Sequence, residues 1–323
     1  MVLLVGLGLL VLAAWAGISV GSSVTGFRDT FDLFTGRAEI SQVSAVIIRE
    51  IRIPRVFLAA VVGATLALGG LVFQALLRNP LAEPYILGVS GGSAIGAILA
   101  MLAGFSPFPG VALAAFAGSM VTLMLVLIPA ARRREVINRD SLLLGGVMMN
   151  AFCGAMIMFL ISISRSAEVH HILFWLMGDL STSTREQLPI LLTVLPSFCL
   201  IFLLARPMNL LLTGRENAAA MGVNVRRVTV LLLIATTFMV AVAVCQSGLI
   251  GFVGLVIPHV LRLLIGPDHR LLVPASILTG ASFLVVCDLL ARTLPATGEM
   301  PVGIVTAMIG APLFIFLLWR ANR

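Results

Sequence analysis

The sequence predicts an all-α integral membrane protein of about ten transmembrane helices, and three observations carry that prediction. Sixty per cent of the 323 residues are hydrophobic and 11% charged, where a soluble globular chain carries roughly 25% charged residues. The apolar residues are gathered into runs near the roughly 20 residues that one crossing of a bilayer takes. Those runs are continuous instead of alternating by twos, which excludes a β-barrel.

Val2–Val20 is the first run. It lacks the basic n-region of a signal peptide and reads as a retained span, although its abrupt apolar start suggests that an upstream piece is missing. A loop of mixed charge follows, Gly21 to about Ile53, within which Ile40–Ile51 reads as an amphipathic helix on the surface. Val56–Leu77 begins just after Pro54, a residue tolerated in the first turn of a helix. Tyr85–Ala103 and Val111–Ala131 are separated by a turn with Pro107 and Pro109, and the cluster Arg132–Arg134 with Arg139 precedes Leu142–Ser164. Polar residues 165–186 lead to Leu188–Leu204, and the longest loop of the second half, Ala205–Arg227, leads to Val228–Val244. Ile250–Ile265, Leu271–Leu290 and Val302–Trp319 complete ten. The whole chain, 1–323, reads as a single polytopic domain.

Every one of the 21 basic residues is arginine. With the N-terminus inside, thirteen fall on the cytoplasmic side and eight on the other, which favours this orientation and places both termini in the cytoplasm. Most of the eight sit near carboxylates, as Arg28 does beside Asp29, Arg49 beside Glu50 and Arg185 beside Glu186. Arg52 and Arg55 do not; they flank Pro54 three residues apart, on one face of a helix that starts there. With Arg292 they read either as headgroup anchors or as a docking point for an acidic partner.

The stretch Arg78–Gly96 is the chain's main irregularity: Asn79, two prolines and four glycines between two apolar runs. Irregular backbone at bilayer depth persists only where protein or a water-filled cavity satisfies it, and interrupted helices point to transport sites. The bland reading is an Asn-Pro turn. Gly88, Gly92 and Gly96 share one helical face and read as a close helix–helix contact.

Several chemistries are excluded or disfavoured. Without lysine there is no phosphate-binding Walker loop and no Schiff-base chemistry. The scattered arginines do not suggest nucleic acid. Cys153, Cys199, Cys245 and Cys287 each fall in an apolar run and read as buried free thiols. His170 and His171 are adjacent and diverge on a helix, while His259 follows Pro258 and reads as a hydrogen-bonded packing residue, so no metal site and no cofactor is expected. Asp288 and Glu299 lie near one end of a span, with Arg292 at ion-pair spacing from Asp288. That is a poor basis for an ion-driven carrier, which needs ionisable groups at mid-bilayer. In the long loop, Arg215–Met221 is rich in helix formers and Gly222 is placed to end them. A short helix outside the bilayer suits docking of another protein.

These residues together resemble the FecCD-type permease subunits of ABC importers for iron-siderophores, haem and cobalamin. The series comprises Arg52-Ile53-Pro54-Arg55, Asn79-Pro80-Leu81-Ala82-Glu83-Pro84, Leu87-Gly88-Val89-Ser90-Gly91, and Gly214-Arg215-Glu216 through Met221-Gly222-Val223. It continues with Gly248–Leu255, Pro258-His259, Asp268-His269-Arg270, Asp288 with Arg292, and Glu299–Thr306. The resemblance implies a permease in the bacterial inner membrane, paired with a second copy or close relative. Two ATP-binding subunits would sit below it, and a periplasmic or lipoprotein substrate-binding protein above. It implies docking of that protein by Arg52, Arg55 and Arg292, a cytoplasmic gate at Asn79, Pro80 and Leu81, and a pathway past Met148, Met149 and Asn150. Gly214, Arg215, Glu216, Asn217, Ala218, Ala219, Ala220, Met221 and Gly222 would form the helix that contacts the ATPase, within a coupling region of about 211–223. The chain itself would be no enzyme, and its cargo a metal chelate. An ion-gradient-driven secondary transporter is the alternative.

Overall fold

The computed structural model describes residues 1–21, 26–35, 41–132, 139–295 and 298–321. Sixteen α-helices follow one another among them. They are α1 (Val2–Ser19), α2 (Phe27–Thr35), α3 (Gln42–Val46), α4 (Ile53–Leu77), α5 (Val89–Leu102), α6 (Ala112–Arg132), α7 (Arg139–Ile163) and α8 (Ser166–Leu176). The second half holds α9 (Leu188–Leu191), α10 (Leu195–Leu203), α11 (Ala205–Thr213), α12 (Arg215–Ala220), α13 (Val225–Ser247), α14 (Val253–Ile265), α15 (His269–Thr293) and α16 (Val302–Ala321). No strand occurs among the described residues. Ten helical segments match the ten apolar runs. Seven are long and apolar enough to cross a membrane, while α5, α14 and the described apolar part of α16 are shorter.

The layering follows from side-chain size. α4 and α13 are the most enclosed spans, and α7 and α1 the least. α4 can be central because glycine lets two neighbours approach its backbone. A side chain at Gly63 would run into the Gly280 carbonyl of α15, and one at Gly70 into the Gly254 carbonyl of α14. Between α5 and α6 the contact uses Gly92 against Gly118 and Gly96 against Ala114, the close packing expected of small residues in lipid. Gly88 does something else: at φ 78° it is the left-handed residue that starts α5.

Two local expectations change. The surface helix expected at 40–51 is instead α3 and a π-turn, Ile47–Arg52, running straight into α4. The short helix with separated polar and apolar faces is α2. Arg185 does not pair with its sequence neighbour Glu186 but with Glu50, at 3.0 Å. The cluster Arg132–Arg134 with Arg139 lies outside the described side chains.

Candidate functional site

The two ends of α4 organise the candidate site. At its first turn, Arg52 and Arg55 are not the outward-facing pair that their spacing suggests: they are 3% and 5% exposed, and Arg292 is 4% exposed. Arg55 bonds Asp288 through Nε at 2.9 Å and Nη2 at 2.8 Å, and Glu299 through Nη1 at 2.6 Å. Arg292 takes the other Asp288 oxygen through Nε at 3.1 Å, the i,i+4 pair expected from sequence. The remaining donors face α1. Arg292 Nη2 donates to the Gly17 carbonyl at 3.1 Å, and Arg52 Nη1 to those of Ile18 and Ser19 at 2.9 Å. The last carbonyls of a helix have no partner within it and carry partial negative charge, so two guanidinium groups cap α1. Only Glu299 in this cluster is appreciably exposed.

Beyond the other end of α4 the chain turns back on itself. Arg78 closes the helix in the left-handed region, φ 46°. The Asn79 side chain accepts the Leu81 N–H at 2.9 Å, an Asx turn. Pro84 then packs against Gly69, eight residues before the end of α4, so the segment has re-entered the body by about 12 Å at 1.5 Å per residue. It meets a second irregular segment, Gly248–Phe252, that breaks the path from α13 to α14. The Tyr85 hydroxyl donates to the Ile250 carbonyl at 2.9 Å and accepts its N–H at 3.1 Å. The Glu83 carboxylate accepts the Phe252 N–H at 3.4 Å. A third break joins them: Leu249 donates to the Trp175 carbonyl, Val302 to Gly178 and Gly303 to Met177. Three broken helices thus satisfy one another's backbone, the condition for irregular chain at bilayer depth.

Of the expected pathway residues on α7, Asn150 donates to the Tyr85 carbonyl at 3.3 Å, and Met149 packs on Gly88. Both belong to this junction. Met148 is 58% exposed. Sequence reasoning missed a cavity of about 570 Å³ bordered by Phe105, Phe174, Trp175, His171, Asp179 and Gln246. Gln246 Oε1 is buried there without a hydrogen-bond partner. Much of the wall is residues 165–187, the least diagnostic part of the sequence.

At the Arg78 end, α12 is exposed except for half-buried Arg215 and buried Ala218, and Gly222 at φ 83° stops the chain just beyond it, as the composition predicts. α11 is pinned on α15: Asn209 Nδ2 donates to Asp268 Oδ1 at 2.7 Å, and Asn209 Oδ1 accepts the His269 N–H at 2.9 Å. The Arg270 N–H and the Asn209 amide hold the Asp268 carboxyl below the usual carboxylate range. The start of α1 and the described end of α16 lie on this side, since α1 reaches the arginine cluster with its last turn and α16 starts beside Gly178.

Other expectations sort plainly. Cys153, Cys245 and Cys287 are buried free thiols, but Cys199 is exposed. His259 packs edge-on to Phe314, yet neither ring nitrogen has a hydrogen bond. The His170 and His171 rings diverge by 75°. No metal-binding group of three occurs among the described residues.

Comparison with known proteins covers nearly the whole chain. A solved metal-chelate type ABC transporter in an inward-facing conformation superposes with a TM-score of 0.87 and 34% identity over 98% of both chains. PsaBC from Streptococcus pneumoniae, at 17% identity and a TM-score of 0.56, shares the fold. The vitamin B12 import system permease protein BtuC of Klebsiella pneumoniae is 40% identical over 88% of this chain and 85% of its own. The cobalamin import permease of Halobacterium salinarum is 42% identical over 86% of this chain and 75% of its own. The model of the FecCD transport family matches residues 9–320. With the fold of an ABC-transporter permease and a family match along almost its entire length, this chain belongs to the FecCD transport family.

Proposed function

We propose that this protein is the transmembrane permease subunit of an ABC importer that carries cobalamin from the periplasm to the cytoplasm. The observation that carries the reading is the 40–42% identity to cobalamin permeases of a bacterium and an archaeon across most of the chain. The absence of lysine agrees with an engine on separate ATP-binding subunits. A second permease copy and a substrate-binding protein complete the assembly, in the inner membrane.

On this reading the Arg78 end faces the cytoplasm. The exposed α12, with Gly214 through Gly222, contacts the ATPase, and Asn79, Pro80 and Leu81 form the cytoplasmic gate. The pathway runs past Met148, Met149 and Asn150. The irregular junction beneath supports this, because broken helices at bilayer depth are where transporters bind and release. The Arg55 end faces the periplasm and is the docking surface. There Arg52, Arg55 and Arg292 shape the platform from inside, while Glu299 is the exposed carboxylate on Arg55 that an acidic group on the binding protein would displace. ATP-driven closure then rocks the paired subunits between two openings. An ion-driven carrier gains no support from Asp288, whose two oxygens are taken up by two arginines near one end of its helix.

The test is reconstitution of the permease with its ATPase and binding protein in liposomes. ATP should drive accumulation of labelled cobalamin, undiminished by excess haem or ferric siderophore. A second reading, an iron-chelate cargo, rests on the metal-chelate structural relative, and it wins if only the ferric siderophore or haem accumulates. Uptake by the permease alone under an ion gradient would sink both.

A further inference from the structure

Arg78 is one of two non-glycine residues with positive φ among the described residues. A side chain with a Cβ is strained there, and glycine usually fills the position after a helix. What the arginine supplies is reach. Its Nε donates to the Leu211 carbonyl at 3.2 Å, and Nη2 donates to the same oxygen. Leu211 lies in the last turn of α11, and its carbonyl also accepts the Gly214 N–H at 3.4 Å. Gly214, at φ 128°, is the joint from which α12 departs. The guanidinium therefore sits on the α11–α12 hinge, where a cation also meets the negative end of the α11 dipole.

The rest of α11 does not move freely. Upstream of the Leu211 hinge, Met208 is buried in the core, and Asn209 is bonded to Asp268 and His269 at the start of α15. α12 is thus a short lever on a fixed base, and Arg78 is a strut from its hinge to α4. The Cα of Arg78 is also the point where α4 ends and the Asn79–Leu81 turn begins. Force applied to α12 reaches that turn through two hydrogen bonds and one residue.

We infer that Arg78 is the positioning residue that transmits movement of α12 to the Asn79–Leu81 turn. The inference rests on reading α12 as the ATPase contact and that turn as the gate. A forked guanidinium resists rotation about the carbonyl in a way that a single ammonium does not, so the role is specific to arginine.

The experiment uses the assembled complex of permease, ATPase and binding protein in liposomes, with spin labels at exposed Leu81 and Ala219. In the parent complex, ATP should shift both labels. Arg78→Ala should leave co-purification of the ATPase intact and its hydrolysis within about two-fold, while cargo moved per ATP falls at least ten-fold. In that variant the Ala219 label should still respond to ATP and the Leu81 label should not. Arg78→Lys, which keeps the charge and serves if the alanine variant assembles poorly, should fall between the two. A merely structural role would lower the yield without splitting the two labels. Unchanged cargo per ATP in both variants, or labels that still move together, overturns the inference. A parent complex that takes up nothing with ATP overturns the transport reading instead, and this inference with it.

Discussion

At the Arg55 end five charged side chains and the last turn of α1 form one cluster, four of whose charges lie deep between helices. At the Arg78 end the charges sit at helix ends, half in solvent, and the elements are short. The first arrangement fixes geometry: every donor of Arg292 with a stated contact reaches either Asp288 or the α1 terminus, so α1, α4 and α15 are clamped together. The second leaves a lever and a turn joined by few bonds. Buried ion pairs contribute little net stability compared with apolar packing, but breaking one is costly. The difference teaches that this molecule is stiff where it would receive a partner and yielding where it would be driven.

The sharpest way to break that contrast is at Asp288. Replacing Asp288→Ala leaves Arg55 and Arg292 buried with one carboxylate between them, and a stranded buried charge costs about 3–5 kcal/mol. Denaturant unfolding in detergent should show that loss, and a change below about 1 kcal/mol would mean that water already reaches the cluster. The next effect belongs to the packed middle. Gly70→Ala drives a methyl into the Gly254 carbonyl, and overpacking of this kind costs about 1–3 kcal/mol. The same substitution at Gly222, which has open space around it but a positive φ, should cost only about 1 kcal/mol. Equal losses at both would show that the α4–α14 contact is looser than it looks.

Glu299→Gln is smaller again. Its carboxylate is one-third exposed, so the pair with Arg55 is screened and worth about 1 kcal/mol or less. Stability should barely change, whereas affinity for the acidic binding protein should rise, since Arg55 loses its competitor. Weaker docking would mean that Glu299 orders the surface instead of occupying it.

How much of this was legible in the sequence follows from the range of each signal. The ten spans, the α12 helix and its glycine stop, and the Gly92–Gly96 contact are written in runs of neighbours, and the structure has them where the sequence places them. The Asp288–Arg292 pair was legible for the same reason. The partners of Arg55 lie 233 and 244 positions away, and no local pattern reports them. Spacing therefore put Arg52 and Arg55 on one face without saying that the face is buried. The junction of Tyr85 with Ile250 and of Trp175 with Leu249 was equally silent, because proline and glycine announce a break but not what it meets. The cavity beside Gln246 draws its wall from residues 165–187 and two other stretches, 101–112 and 245–246, none distinctive alone.

The smallest predicted effect tests the anchored base of the yielding end. Asp268 caps α15 and accepts from Asn209, and its carboxyl is held below its ordinary value by the Arg270 N–H first and the Asn209 amide second. A carboxylate depressed in the folded state contributes stability above its unfolded pKa, near 4, and loses it as pH falls through the lower folded value. Asp268→Asn should therefore be less stable than the parent at pH 7, and the two unfolding curves should converge below about pH 4. The difference between parent and variant should grow with pH only across that narrow acidic window. A difference that persists unchanged into acid would show that the anchor works through packing of α11 on α15 and not through charge, and the contrast between the two ends would lose its electrostatic half.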